Sequence, residues 1–161
     1  MRRTVLAVAG TVGATALLGG CAAVDLPLVA VGPGADGAPN ALIRPCGDDA
    51  YRGPALDGRA GSDAGGLVTT GWDTRGEHTG DAAFPLFTPP ARWHARHRGA
   101  RRLLPHHTYT LSFGHYVTGD SYNGVLTFSA EDFAALRPGQ VRADGRAMSR
   151  GDFEKLAAES C

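Results

Sequence analysis

The stretch Thr108 to Val117, TYTLSFGHYV, constrains the fold most. Tyr109, Leu111, Phe113 and Val117 alternate with Thr110, Ser112 and Thr118. A period of two puts the apolar set on one face, so the stretch predicts a half-buried strand. The turn-forming GDSYNG, Gly119 to Gly124, follows, and Val125 to Phe128 (VLTF) reads as the return strand of a hairpin. A sheet with one apolar face needs a second layer to cover it. Gly66–Thr70, Phe84–Thr88 and Arg92–Arg96 also read as strands. With 23 glycines and 10 prolines among 161 residues, turns are frequent and elements short.

The tail predicts helices. Ser129-Ala-Glu-Asp132 and Ser149-Arg-Gly-Asp152 are capping-box patterns, and Pro138-Gly139 ends the first helix. Phe153, Leu156, Ala157 and Cys161 fall on one face of the second. That face brings Cys161 within reach of Cys46.

The N-terminus carries an address. Arg2 and Arg3 precede an uncharged run, Thr4 to Leu18, which is short for a membrane-spanning helix. Leu18-Gly19-Gly20-Cys21 resembles the bacterial lipobox. The resemblance implies that residues 1–20 are a lipoprotein signal peptide and that Cys21 receives a diacylglycerol. It also implies a protein held by lipid on the extracytoplasmic face of the cell membrane. Each buried methylene contributes roughly 0.8 kcal/mol, and two chains on one residue give stable attachment. Arg2-Arg3 also fits a twin-arginine export signal; either route is open. Residues 21–40, rich in Gly, Pro, Ala and Asp, read as a flexible tether, and residues 41–161 as the folded domain. Without residues 1–20 the chain has 14 basic and 16 acidic residues, a net charge of −2. That balance gives no general pull towards nucleic acid or anionic lipid.

Export to an oxidising compartment makes Cys46 and Cys161 a disulfide pair. In the chain-entropy picture a loop of that length is worth about 4–5 kcal/mol. With Cys21 acylated and the other two paired, no thiol remains for catalysis.

Leu103, Pro105 and Tyr109 have the spacing Leu-x-Pro-x-x-x-Tyr. This resembles the tyrosine corner of fibronectin type III and other immunoglobulin-like domains. It implies a mainly β, immunoglobulin-like sandwich with short C-terminal helices, closed by the disulfide. Trp72 is the candidate core tryptophan. The segment Gly47 to Gly66 departs from the pattern and reads as loop. The tail from Phe128 to Cys161 resembles that of small uncharacterised lipoproteins of high-GC Gram-positive bacteria.

The chemistry-bearing residues are scattered. His78, His94, His97, His106, His107 and His115 show no metal-ligand spacing, and His115 reads as half-buried on its strand. Asp48, Asp49, Asp57, Asp63, Asp73, Glu77 and Asp81 read as solvated loop acids. No nucleophile elbow, P-loop or dinucleotide fingerprint is present. RWHARHRGARR holds Arg92, Arg96, Arg98, Arg101 and Arg102 around Trp93. It is either a candidate contact for polyanions, since arginine forks match phosphate, or a charged edge that discourages sheet aggregation. The expectation is a non-catalytic binding or scaffolding module without cofactor, whose partner is envelope polymer or another exported protein. The alternative is a small metal-binding protein or hydrolase using the His- and Asp-rich loops.

Overall fold

A computed structural model describes residues 23–61, 65–114 and 122–161. Cys21, Asp63 and His115 lie outside the described residues, as does the turn of the hairpin.

The described residues form twelve strands in two sheets. The hairpin strands are β9 (His107–Gly114) and β10 (Tyr122–Ser129), paired from Asn123↔Gly114 to Ser129↔Thr108. β9 lies against β4 (Ala50–Ala60), and β4 against β5 (Val68–Asp73). β8 (Arg96–Arg98) edges β5, β6 (Glu77–Thr79) pairs with the start of β4, and β1 (Val24–Leu26) runs parallel to β10. The second sheet has the order β12-β11-β2-β3-β7. Its strands are β2 (Val29–Pro33), β3 (Pro39–Ile43), β7 (Ala82–Pro85), β11 (Gln140–Ala143) and β12 (Arg146–Ser149). Thus β2, β3 and β7 face β10, β9, β4 and β5, the strand distribution of an immunoglobulin-like sandwich, with a β11–β12 hairpin added beside β2.

The register explains the core. Leu126, Leu111, Leu56 and Trp72 make one row across the first sheet, all at most 2% exposed. Phe128, Tyr109, Gly58 and Thr70 make the next. A Cβ on Gly58 would lie 2.4 Å from Thr70 Cγ2 and 2.6 Å from Tyr109 Cε1, so the tyrosine ring occupies the space a side chain would take. The Trp72 indole N–H donates to the Leu86 carbonyl at 2.7 Å, tying the first sheet to the segment that follows β7.

Three sequence expectations are corrected. The tether does not span 21–40: the described fold begins at Val24, and Leu28 to Val31 are fully buried. A strand covered on both faces shows no alternation, and its Gly and Pro neighbours disguise it. Gly47–Gly66 is not loop throughout, because β4 is the central strand of the first sheet. A bulge at Gly53, with φ +58°, shifts its register between Arg52 and Ala55 and breaks the period of two. Arg92–Arg96 is not a strand but a 3-10 turn, Ala91–Trp93, followed by β8.

The helices α1 (Ala130–Ala134) and α2 (Arg150–Ser160) start where the caps predict. Ser129 and Asp132 exchange both capping bonds at 2.9 Å. Ser149 accepts the Asp152 N–H at 3.0 Å. Phe153 and Ala157 of α2 are buried, and Cys161, although exposed, forms the predicted disulfide with Cys46 (Cα–Cα 5.4 Å). Arg44, at the end of β3, makes a two-pronged pair with Glu154 of α2 at 2.6 and 2.7 Å. It also donates to the carbonyls of Ile43 and Ala82. The Arg44 hydrogen bonds hold the Glu154 carboxyl below its ordinary pKa.

Two outcomes follow. Glu154→Gln removes a charge-assisted bond from a half-buried arginine and costs about 2 kcal/mol in denaturant unfolding, after allowance for solvent screening. Because the folded-state pKa of Glu154 is depressed, its contribution is present above the ordinary carboxylate range. It is lost as pH falls through the folded value, so the variant loses less stability on acidification than the parent. Gly58→Val overpacks the Tyr109 ring and costs about 1–3 kcal/mol in the same measurement.

Candidate functional site

The five candidate arginines divide into groups. Antiparallel pairing of β8 with β5 sets Asp73 opposite Arg96. The Asp73 carboxylate takes Arg96 and Arg98, each at 2.5 Å. Arg98 also approaches Asp57 at 3.4 Å, and Asp57 approaches Arg59 at 3.5 Å. Arg96 and Arg98 are therefore neutralised in a charge ladder on the outer face of the first sheet. Trp93 is 1% exposed and packs among His78, Phe84, Tyr51 and Trp72, with ring centroids 4.8–6.5 Å away. It offers no face to a ligand, and the expectation of one aromatic-centred, five-arginine surface is corrected.

Arg92, Arg101 and Arg102 are exposed and form no ion pair among the described residues. Arg92 stands near His78 and Tyr51. Burial first, and then Arg92, lower the His78 pKa; burial pushes the Tyr51 phenol up to about 12.

Arg101 and Arg102 belong to a segment fixed by the tyrosine corner. The Tyr109 hydroxyl accepts the Leu104 N–H at 2.8 Å and donates to the Arg102 carbonyl at 3.4 Å. The Thr70 hydroxyl donates to the Ala100 carbonyl. The backbone from Ala100 to Leu104 is thereby held against the first sheet, and both arginines line a cleft of about 590 Å³ with Phe87, Leu103, Phe133 and Glu131. Glu131, exposed at the surface, accepts the His106 N–H at 3.0 Å, which keeps its carboxyl below the ordinary pKa.

Two further clefts adjoin it. One of about 650 Å³ shares Phe133 and Ala134 and continues along Leu136 to the β2–β3 turn at Gly34 and Ala35. The other, about 450 Å³, shares that turn and runs over the outer face of the second sheet along Leu42 and Val141 to Arg150. Their linings are mostly apolar, with arginine at both extremes.

The remaining candidates do not converge. Among the described residues no three His, Cys, Asp or Glu side chains come together to hold a metal ion. Nε2 of His78, Nε1 of Trp93 and Nδ1 of His97 are buried without a hydrogen-bond partner. Burial, then Arg101, lowers the His97 pKa. Asp57, Asp73, Glu77 and Asp81 are engaged by arginines, and Asp49 accepts a bond from the Tyr122 hydroxyl. The sequence reading missed the clefts, whose walls come from separate segments. It also missed the β11–β12 hairpin, although Asp144-Gly145, both at positive φ, is the signature of its turn.

Tyr109→Phe leaves the Leu104 N–H without its acceptor. It costs about 1–2 kcal/mol in denaturant unfolding and raises the hydrogen-exchange rate of the Leu104 amide. No family model, curated protein or solved structure matches the chain.

Proposed function

We propose that the protein is a lipid-anchored, extracytoplasmic lipoprotein. Its sandwich is a non-catalytic binding module for an anionic partner of the cell envelope, such as a phosphate-bearing polymer. The observation that supports this reading is the cleft that sets two unpaired arginines, Arg101 and Arg102, beside the apolar wall of Phe87, Leu103 and Phe133. Guanidinium forks suit phosphate, and an apolar wall gives a ligand body a dry surface. The lipobox supplies the address, and the Cys46–Cys161 disulfide suits an oxidising compartment.

Cys21→Ser abolishes acylation and moves the protein to the detergent-free fraction of fractionated cells; retention in the membrane refutes the anchor. In sedimentation with purified envelope polymer, Arg101→Ala combined with Arg102→Ala weakens binding about tenfold at low salt. Arg96→Ala leaves it unchanged, because Arg96 is already paired. Equal losses in the two variants refute the assignment of the cleft.

A further inference from the structure

The short distance from Cys21 to the first strand fixes how an anchored domain must stand. β1 begins at Val24, three residues after Cys21. An extended residue spans at most about 3.6 Å, so the lipidated residue and the strand lie within about 11 Å of each other. β1 is itself built into the fold. It pairs with β10 from Val24↔Tyr122 to Leu26↔Gly124, and Asn123 donates to the Asp25 carboxylate at 3.2 Å. Beside it the Tyr122 hydroxyl accepts the Cys46 N–H at 2.9 Å, next to the disulfide. The anchor end of the sandwich is thus stapled by covalent and hydrogen bonds, with little slack to turn over.

Two of the clefts lie at the opposite end. β10 runs from Tyr122 beside Val24 to Ser129, where α1 begins. At about 3.3 Å per residue this is about 23 Å. Phe133 of α1 lines two of the clefts. Among the described residues, two exposed large apolar side chains mark the two ends. Val24, 61% exposed, is at the anchor, and Leu67, 87% exposed, precedes β5 at the far end, where Val68 pairs with Arg59.

We infer that the domain stands on the bilayer with the end formed by Val24, Tyr122 and Cys46 against the lipid headgroups. The Arg101–Arg102 cleft then faces outward, away from the membrane. This rests on acylation of Cys21. The surface that meets the lipid is selected by the short connection rather than by charge: Asp25 and Asp49 stand there, and the nearby Arg44 and Arg52 are paired with Glu154 and Glu77.

The test uses the full chain made in a lipidating host, with the adduct on Cys21 verified by intact mass, in phosphatidylcholine vesicles containing nitroxide-labelled lipid. A genetically encoded fluorescent amino acid replaces Val24 in one variant and Leu67 in another; neither site is in the core. Quenching at Val24 is expected to exceed that at Leu67 several-fold. A Gly/Ser insert of about twelve residues after Ala22 is expected to lower the Val24 quenching while the protein stays bound, because the tether then has room to swing. Equal quenching at both sites, stronger quenching at Leu67, or no effect of the insert overturns the orientation and leaves the anchor standing. A chain that carries no adduct on Cys21 overturns the anchor, and the orientation with it.

Discussion

The packing of Tyr109 over Gly58 is the contact on which the rest of the sandwich depends. The ring sits between Phe87 and Phe128 at centroid distances of 6.1 and 5.7 Å, over a position where β4 carries no side chain. Its hydroxyl then reaches the backbone of the Arg102–Leu104 segment. One side chain therefore fills the core at one end, covers the bare Gly58 position of β4, and fixes the loop that carries the unpaired arginines. Burial of the ring raises the phenol pKa, so the hydroxyl stays protonated and can donate and accept at once.

The second sheet needs a cover of its own. Leu28 and the first three residues of β2, Val29 to Val31, are fully buried, with β2 flanked by β3 and β11, and Val141, Ala143 and Met148 are buried beside it. Helix α2, packed on β11 and β12, supplies that third layer with Phe153 and Ala157. An eleven-residue helix is marginal alone. The Arg44–Glu154 pair and the disulfide hold it down. The charge ladder from Arg59 to Arg96 has a different role on the first sheet: it occupies an exposed face and an edge strand with groups that repel a further strand.

Where the sequence signal was local, it was legible. The β9–β10 hairpin needs only alternation and turn residues, the helix starts need only a serine and an aspartate three apart, and the corner needs three residues within seven. The disulfide was readable because the expectation of export and the helix periodicity pointed to the same pair. Arg96 and Arg98 were visible as cations, but not as spent ones. Their partner, Asp73, is more than twenty residues away and meets them only through strand pairing.

The sequence by itself determined that this chain folds as a β-sandwich with capped helices and a disulfide, because periodicity, capping and oxidation state are properties of neighbouring residues or of composition. Only the tertiary structure decided where the fold begins, which arginines stay unpaired and where the clefts open. Strand β2 shows no alternation because it is buried on both faces. Strand β4 hides its period behind a bulge. Trp93 sits in a charged segment yet is enclosed by rings from four other segments. Each of these is settled by what lies across a sheet or between layers, which no window of sequence contains.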